Sequence, residues 1–164
     1  MAAAVLRQAA RTSLRLQQCS RLIAASHRNY ADMAFTFASP YDVYYKDAKV
    51  KQIDVPTFSG NFGILPDHVP TLAVLKPGVI NVTEEDGSNK KYFVSSGSVT
   101  INDDSSVQIL AEEAHPVDRL DAASIRDGMS KAQQQASSAA SETAKAEAQI
   151  AVECYEALQK AVDA

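Results

Sequence analysis

The stretch from Val55 to Ile80, VPTFSGNFGILPDHVPTLAVLKPGVI, constrains the fold of this chain more than any other. Three of the six glycines fall within it, together with Pro66, Pro70 and Pro77. Glycine reaches backbone angles that are closed to other residues, and proline fixes φ and removes an amide donor, so the stretch specifies one backbone path. Because it combines a fixed shape with few reactive side chains, it indicates a binding surface.

Between residues 31 and 115, apolar and polar side chains alternate with a period near two, which is typical of β-strands. The alternating apolar pairs and triplets are Phe35 and Phe37, Val43 and Tyr45, Ile53 and Val55, Tyr92 and Val94, and Val107, Ile109 and Ala111. These runs are short and turn residues separate them closely. We therefore expect an antiparallel β-sandwich or flattened barrel of about eight to ten strands.

Three turn sequences predict connections within this sandwich. Asp86-Gly87 predicts a hairpin between the strands Val79–Thr83 and Lys90–Val94. Gly97 predicts a second reversal, and the polar run Asn102–Ser105 predicts a third.

Residues 116–164 differ in composition from the rest of the chain. After Pro116 they contain no proline and one glycine, Gly128, and they are rich in Ala, Gln, Glu, Ser and Lys, which favours helix. We expect two helices of about 15–20 residues folded back as a hairpin. The chain as a whole is therefore predicted to be an α+β protein, with a sandwich domain over 31–115 and the hairpin over 116–164.

Capping residues indicate where these helices begin and end. Asp118 or Asp121 can cap the first helix. The run Ser137–Ser141 predicts the break, because serine caps a helix start and Glu142 suits the first turn of a new helix.

The apolar faces of both helices are thin. The predicted stripes are Leu120, Ile125, Met129, Ala132 and Ala136 on the first helix, and Ala144, Ala148, Ala151, Tyr155, Leu158 and Val162 on the second. Alanine lets helices approach closely but buries little area, at about 25 cal/mol per Å². We expect the hairpin to depend on the sandwich or on partners; a plain packing element without a regulatory role is the alternative.

Residues 1–30 have the composition of a mitochondrial transit peptide, since they are rich in arginine and lack acidic residues. The arginines are Arg7, Arg11, Arg15, Arg21 and Arg28. Arg28 is the third residue before Ala31, as at sites cut by matrix proteases, so we expect cleavage between Tyr30 and Ala31. A basic surface helix retained in the mature protein is the alternative.

The remainder of the chain is acidic, with 11 Lys and Arg against 20 Asp and Glu, a net charge of −9. This charge argues against a nucleic-acid partner, and the lysines lie scattered without an aromatic stacking platform. No apolar run approaches the roughly 20 residues that a membrane span requires. Cys19 and Cys154 are far apart and imply no disulfide framework.

Motifs of self-contained enzymes are absent from the sequence, including G-x-x-x-x-G-K-[ST], G-x-G-x-x-G, H-E-x-x-H, C-x-x-C and G-x-S-x-G. Asp67 and His68 are adjacent, and neighbours on an extended chain point to opposite faces, which argues against an acid–base pair. His115 lies at the expected domain boundary, where a linker role is favoured. The acidic runs Glu84–Asp86 and Glu112-Glu113 lack metal-ligand spacing. We therefore predict no catalytic residue, no metal and no cofactor.

From Gly60 to Ile80 the sequence has the pattern G-x-F-G-I-L-P-x-H-x-P-x-L-x-x-L-x-P-G-x-I. This pattern resembles the delta/epsilon family of F-type ATP synthases, which includes the mitochondrial delta subunit and its counterpart, the bacterial epsilon subunit. Similarity continues through Lys91–Gly97, and the helical tail fits the outline of the family. The resemblance covers about Met33 to Ala164.

The resemblance implies a ten-stranded sandwich followed by a helical hairpin, in a non-catalytic subunit of the central stalk. Such a subunit joins the gamma subunit to the ring of membrane c subunits, the c-ring, so that torque from proton flow reaches the catalytic hexamer. A small mitochondrial epsilon subunit is implied as a further partner. The implied location is the matrix side of the mitochondrial inner membrane, with contact to the membrane only through the c-ring.

The resemblance also implies two contact regions. The loop facing the c-ring consists of Ser59, Gly60, Asn61, Phe62 and Gly63. The residues facing gamma are Pro66, His68 and Pro70. Phe62 lies between glycines, and we expect it to act as an apolar anchor on a rigid loop.

Many bacterial relatives carry the ATP-binding pattern I/L-D-x-x-R-A at the start of the helical tail. The matching residues here are Leu120-Asp121-Ala122-Ala123-Ser124-Ile125, with Ser124 in place of arginine. Arg126 would project about 200° further round the helix and cannot replace it. A nucleotide phosphate would lack its cationic partner, so we predict no ATP site.

Two hypotheses of other classes stay open at this point. The chain can be a free-standing module whose sandwich binds a small ligand or a peptide, or a small hydrolase that uses His68.

Overall fold

The computed structural model of the chain describes residues 33–163, which belong to one compact unit. They form nine strands, namely β1 (Met33–Ala38), β2 (Val43–Thr57), β3 (Gly60–Ile64), β4 (Thr71–Leu75), β5 (Gly78–Glu84), β6 (Asn89–Val94), β7 (Gly97–Ile101), β8 (Val107–Ala111) and β9 (Ala114–Pro116). A 3₁₀ turn (Val117–Arg119) leads into the helices α1 (Ala122–Ser138) and α2 (Glu142–Asp163). The expected transit peptide and its cleavage site at Tyr30 and Ala31 lie outside the described residues.

The strands form a sheet in the order β1-β8-β7-β4-β2-β5-β6-β9, and β3 and β1 also pair with β2. All pairs are antiparallel except β1 with β8, which are parallel. The predicted β-sandwich of about eight to ten strands followed by two helices is confirmed, with this one parallel pair as the departure from a purely antiparallel arrangement.

Strand β2 joins the two layers of the sandwich. It is 15 residues long; its first part pairs with β1 and its second part pairs with β3 and β5. At its end, Thr57 lies opposite Leu75 of β4. Because β2 takes partners from both layers, the layers close around a common core.

Inward-pointing apolar side chains at alternate strand positions build this core. The largest fully buried ones are Phe35, Phe37, Met33, Ile53, Ile64, Leu75, Ile80, Ile109, Val55, Val82, Val94 and Val99. Each stabilises the fold by roughly 1.5–3 kcal/mol relative to an exposed position. The predicted alternation is confirmed for the pairs in β1, in the second part of β2 and in β8.

Two sequence expectations about individual residues are wrong. Val43 is 64 % exposed whereas Tyr45 is buried, because the pairing of β1 with β2 has a register shift between their partners, Ala38 and Phe37. His115 is not in a linker: it lies in β9, opposite Phe93 of β6.

Phe93 is 5 % exposed although it points away from the core. Its neighbours Tyr92 and Val94 belong to the core cluster, so strand alternation places Phe93 on the outer face, opposite Val79 of β5. Helix α2 packs beside β5. The outer face of this layer is therefore covered by the helical hairpin, which explains why β6 is buried on both faces from Tyr92 to Val94.

Helix α1 is capped by Asp121, whose carboxylate accepts hydrogen bonds from two amides of the first turn at 3.1 and 3.2 Å. Of the two candidate caps, Asp118 lies instead in the 3₁₀ turn. The predicted break is confirmed, since α1 ends at Ser138 and α2 begins at Glu142. The hydroxyl of Ser141 accepts from the amide of Ala144 and caps α2.

Candidate partner-binding surface

Five predicted site residues, Ser59, Gly60, Asn61, Phe62 and Gly63, lie at the turn and along β3 of the β2–β3 hairpin rather than in a loop. Gly60 has φ +124, a conformation that favours glycine. Its carbonyl accepts a hydrogen bond from the buried Thr57 hydroxyl at 2.6 Å. A Cβ at Gly63 would lie 2.9 Å from Oδ1 of Asp54. Gly60 is thus needed for the path of this hairpin, and a side chain at Gly63 would displace the Asp54 carboxylate.

The ring of Phe62 does not project freely from the hairpin. It is partly buried against the core and stacks on the imidazole of His68, with ring centroids 5.8 Å apart and an interplanar angle of 25°. The exposed aromatic ring is that of Phe58, which is 75 % exposed. The sequence reasoning missed Phe58, although it directly precedes the hairpin turn.

The loop between β3 and β4 carries the other predicted contact residues, Pro66, His68 and Pro70. Nδ1 of His68 lies 2.9 Å from the carbonyl oxygen of Val69; since a carbonyl only accepts, Nδ1 carries the proton. The His68 amide donates to the Leu65 carbonyl at 3.2 Å. The loop is therefore closed by its own backbone.

Asp67 and His68 do not form an acid–base pair through their side chains. The Asp67 carboxylate accepts from the hydroxyl of Ser105 at 3.2 Å, whereas His68 contacts Val69 and Phe62. The small hydrolase with His68 is not favoured by this arrangement.

An uncharged outer face extends across β4, β7, β8 and β1. Cross-strand register places eight side chains on it in two rows, which are Val74, Ser98, Leu110 and Ala38, and Leu72, Thr100, Gln108 and Thr36. Leu72 is 75 % exposed, and Val74 and Leu110 are more than half exposed. None of the eight carries a charge. We call this set the uncharged face; exposed apolar patches of this kind mark protein-binding sites.

The loop before β4 extends the same apolar surface. Leu65 and Val69 are both more than half exposed and flank the predicted contact residues Pro66 and His68. Large apolar side chains are thus exposed from the β3–β4 loop onto β4, next to the residues expected to face gamma.

A cleft of about 1040 Å³ separates α2 from the sandwich. Its apolar lining includes Phe58, Pro77 and Ile150, and its polar lining includes Asn81. Oδ1 of Asn81 is buried without a hydrogen-bond partner. The oxygen has almost no accessible surface, so what the cleft offers an occupant is mainly apolar contact.

Charged side chains gather elsewhere, at the β5–β6 hairpin. Lys90 Nζ lies 2.7 Å from Oε1 of Glu84, and the Tyr45 hydroxyl donates to the same oxygen at 3.0 Å. The hydrogen bond from Lys90, then that from Tyr45, lowers the pKa of Glu84, and Glu84 raises the pKa of Lys90. Burial raises the pKa of Tyr45, so the phenol stays protonated and serves as a donor. These contacts stabilise the β5–β6 hairpin, so the charged cluster has a structural role.

Ser124, at the position of the arginine in the bacterial ATP-binding pattern, donates to Oδ2 of Asp121 at 2.6 Å. This hydrogen bond is the largest cause of the lowered pKa of Asp121. Both side chains are therefore engaged in capping α1.

Among residues 33–163, no cluster of three or more His, Cys, Asp or Glu could hold a metal ion, and no helix is long and apolar enough to cross a membrane.

Comparison with known proteins agrees with this geometry. The family model of the "ATP synthase, Delta/Epsilon chain, beta-sandwich domain" matches residues 32–117. The mitochondrial ATP synthase subunit delta of Caenorhabditis elegans is 47 % identical over 84 % of this chain and 83 % of its own length. That of Pichia angusta is 39 % identical over 93 % of this chain and 98 % of its own.

Two solved structures show the same fold. A chain in the Euglena gracilis mitochondrial ATP synthase, in a structure of OSCP, F1 and c-ring, has a TM-score of 0.75 at 26 % identity and covers 85 % of this chain and 87 % of its own. A chain in the central stalk and c-ring of the Tetrahymena thermophila enzyme shares the fold, with a TM-score of 0.59 at 18 % identity over 80 % of this chain and 96 % of its own. The chain described here therefore belongs to the ATP synthase delta/epsilon family, among the delta subunits of mitochondria.

Proposed function

We propose that this chain is a non-catalytic central-stalk subunit of mitochondrial ATP synthase, which links gamma to the c-ring and transmits the rotation that couples proton transport to ATP synthesis. The observation that carries the proposal is the uncharged face, which leaves Leu72, Val74 and Leu110 exposed on one layer of the sandwich. Exposed apolar side chains grouped on one uncharged sheet face mark a protein-binding site. Relatives of this chain are subunits of ATP synthase, so the proposed protein that covers the face is another subunit of that complex.

The gamma subunit is the proposed partner of the uncharged face and of the adjoining β3–β4 loop with Pro66, His68 and Pro70. The eight side chains of the uncharged face carry no charge, and Asp67 is the acidic residue of the adjoining loop, so binding there removes few charges from water. Leu65 and Val69 in the loop add exposed apolar area that a bound partner would remove from water.

The c-ring is the proposed partner of the β2–β3 hairpin, through Ser59, Gly60, Asn61, Phe62 and Gly63. The two glycine constraints fix the path of this hairpin, and a rigid element transmits torque better than a mobile one. Phe58 adds an exposed ring beside the turn. Contact with the membrane is then indirect, through the c-ring.

The small mitochondrial epsilon subunit is the proposed occupant of the cleft beside α2. Ile150 is 66 % exposed at this cleft, next to the apolar side chains of Phe58 and Pro77, so a bound segment would find apolar contact there. The Ala-rich hairpin contributes little bulk there and leaves room for such a segment. No cofactor is required by any of these contacts.

A location on the matrix side of the inner mitochondrial membrane follows from this role, and the mitochondrial relatives support the organelle. The arginine-rich residues 1–30 would direct import and be removed between Tyr30 and Ala31. The sandwich and the hairpin then form the two domains of the mature protein, divided near residue 115.

A free-standing ligand-binding module is not favoured, because the relatives are subunits of a complex.

A pull-down of the chain with gamma and the c-ring tests the proposal. We expect wild type to retain gamma and Leu72→Asp to lose it, because a carboxylate in the covered face would be buried without a partner. Asn89→Asp, which adds a charge on the other layer at β6, is the matched control and should bind as wild type does. Failure of wild type to retain gamma, or equal binding by Leu72→Asp, would contradict the proposal.

A further inference from the structure

Ser105, in the turn between β7 and β8, has an unusual environment for a surface-turn residue. It is 8 % exposed, and among residues 33–163 the buried polar side chains are those of Thr57 and Ser105. Its backbone adopts φ +63, in the left-handed region that serine seldom enters. The position therefore combines a buried hydroxyl with backbone strain.

The hydroxyl of Ser105 forms a two-point contact with Asp67 of the β3–β4 loop. Oγ of Ser105 accepts from the Asp67 amide at 3.2 Å and donates to Oδ1 of Asp67 at 3.2 Å. Asp67 also adopts a left-handed conformation, with φ +62. Aspartate tolerates this conformation, so the strain lies at Ser105. Such strain persists only where the surroundings fix it, and the two hydrogen bonds to Asp67, 38 positions away, are the contacts that do so.

This contact is joined to a second one in the same loop. His68 follows Asp67 and stacks on Phe62 of β3. Ser105, Asp67, His68 and Phe62 thus connect the β7–β8 turn, the β3–β4 loop and the β2–β3 hairpin. Leu65 and Val69 are exposed on either side of the held residues.

We infer that Ser105 is a positioning residue for partner binding: by holding Asp67 it fixes the β3–β4 loop in the shape that presents Leu65 and Val69 to the gamma subunit. The inference rests on the proposed function, in which this loop faces gamma. Ser105 itself is buried and acts through Asp67, so it need not touch the partner.

The size of the effect follows from the population of the competent loop shape. When that population falls to about one tenth, the apparent dissociation constant rises about tenfold. Removal of the Ser105 hydroxyl deletes both hydrogen bonds to Asp67, while the hydrogen bonds within the loop and the stacking of His68 on Phe62 remain.

The informative variant is Ser105→Gly, because glycine adopts φ +63 without strain and so offsets the lost hydrogen bonds in stability. We expect its affinity for gamma, measured by calorimetry, to fall about tenfold while the thermal midpoint stays within a few degrees of wild type. Hydrogen exchange at the Asp67 amide should accelerate. Ser106→Ala, which removes the neighbouring hydroxyl that accepts from Asn102, is the matched control and should bind gamma as wild type does.

The outcomes separate this inference from the proposed function. Faster exchange at Asp67 with unchanged gamma affinity overturns the inference, and so does a loss of binding in Ser106→Ala equal to that in Ser105→Gly. If Ser105→Gly fails to fold, Asp67→Gly removes the carboxylate at a position that also favours glycine, and the same weakening is expected. If wild type binds gamma, Leu72→Asp fails to bind and Ser105→Gly binds as wild type does, the inference about Ser105 is wrong and the proposed function stands. If wild type does not bind gamma, the inference and the proposed function are both wrong.

Discussion

The ring of Tyr155 in α2 occupies the space in which a side chain at Gly128 of α1 would lie. A Cβ atom at Gly128 would come within 2.4 Å of the ring carbons Cε1 and Cζ, closer than atoms of a folded protein approach. Glycine inside a helix is unfavourable by roughly 1 kcal/mol relative to alanine, so its presence in α1 has a reason in packing. The contact joins the two helices at close range.

Gly128→Ala should destabilise the hairpin despite the better helix propensity of alanine. Overpacking costs about 1–3 kcal/mol, against roughly 1 kcal/mol gained in propensity, so a net loss of about 1–2 kcal/mol is expected. Urea unfolding followed by circular dichroism measures it. In a Tyr155→Ala background the same substitution should stabilise the protein; destabilisation there would show that the ring is not the cause.

Asp121→Ala should lower the thermal midpoint of unfolding by about 2–4 °C, because the substitution removes the N-cap of α1. The pKa of Asp121 is lowered by the hydrogen bonds from Ser124 and from the first-turn amides. A lowered folded pKa means that the contribution is present above the unfolded pKa of about 3.9 and is lost as the pH falls through the folded value. The difference between wild type and Asp121→Ala should therefore disappear in acid. Asp118→Ala, which removes no cap of α1, should leave the thermal midpoint at neutral pH near that of wild type.

The chain should not bind ATP at submillimolar concentration. Ser124 stands where bacterial relatives carry arginine, and its hydroxyl is engaged with Asp121. Isothermal titration calorimetry of wild type with ATP should give no binding heat, and Ser124→Arg is the comparison that restores a cation at this position. Submillimolar affinity in wild type would overturn the prediction.

Lys90→Met should raise the pKa of Glu84, which can be followed by NMR titration. The hydrogen bond from Lys90 is the largest cause that holds this pKa below its ordinary range, with the Tyr45 hydroxyl second. The stabilising effect of Glu84 is present above its unfolded pKa of about 4.3 and is lost as the pH falls through the lowered folded value. The change in stability at neutral pH should be small, since Lys90 is half exposed. An unchanged pKa of Glu84 in the Lys90→Met variant would show that the hydrogen bond from Lys90 is not what lowers it.

The sequence predicts those parts of the fold that depend on local rules. The Asp86-Gly87 turn, the break near Ser138 and the alternation in β8 follow from turn chemistry, capping and a period of two, and each is confirmed. Val43 could not be predicted, because a register shift between β1 and β2 depends on the partner strand. The strand Ala114–Pro116, which contains His115, could not be predicted because three residues are too few to show a periodic pattern.

The candidate surface was only partly predictable for a related reason. Whether Leu72 and Val74 face the core or solvent depends on which strands lie beside β4, and a single sequence does not give that order. A signal was present: Leu72–Leu75 is apolar at consecutive positions, which predicts a strand that needs cover on both faces. Phe62 was expected to be an exposed anchor, yet its stacking on His68 depends on the path of a loop six residues away.

Co-migration on a native gel tests the central claim most directly. Mitochondria are solubilised in a mild detergent, the ATP synthase band is located by in-gel ATP hydrolysis, and this chain is detected with an antibody. The account predicts that the chain migrates in that band and that a chain carrying Leu72→Asp does not. Wild-type chain that migrates at its own small size, apart from an intact synthase band, would contradict it.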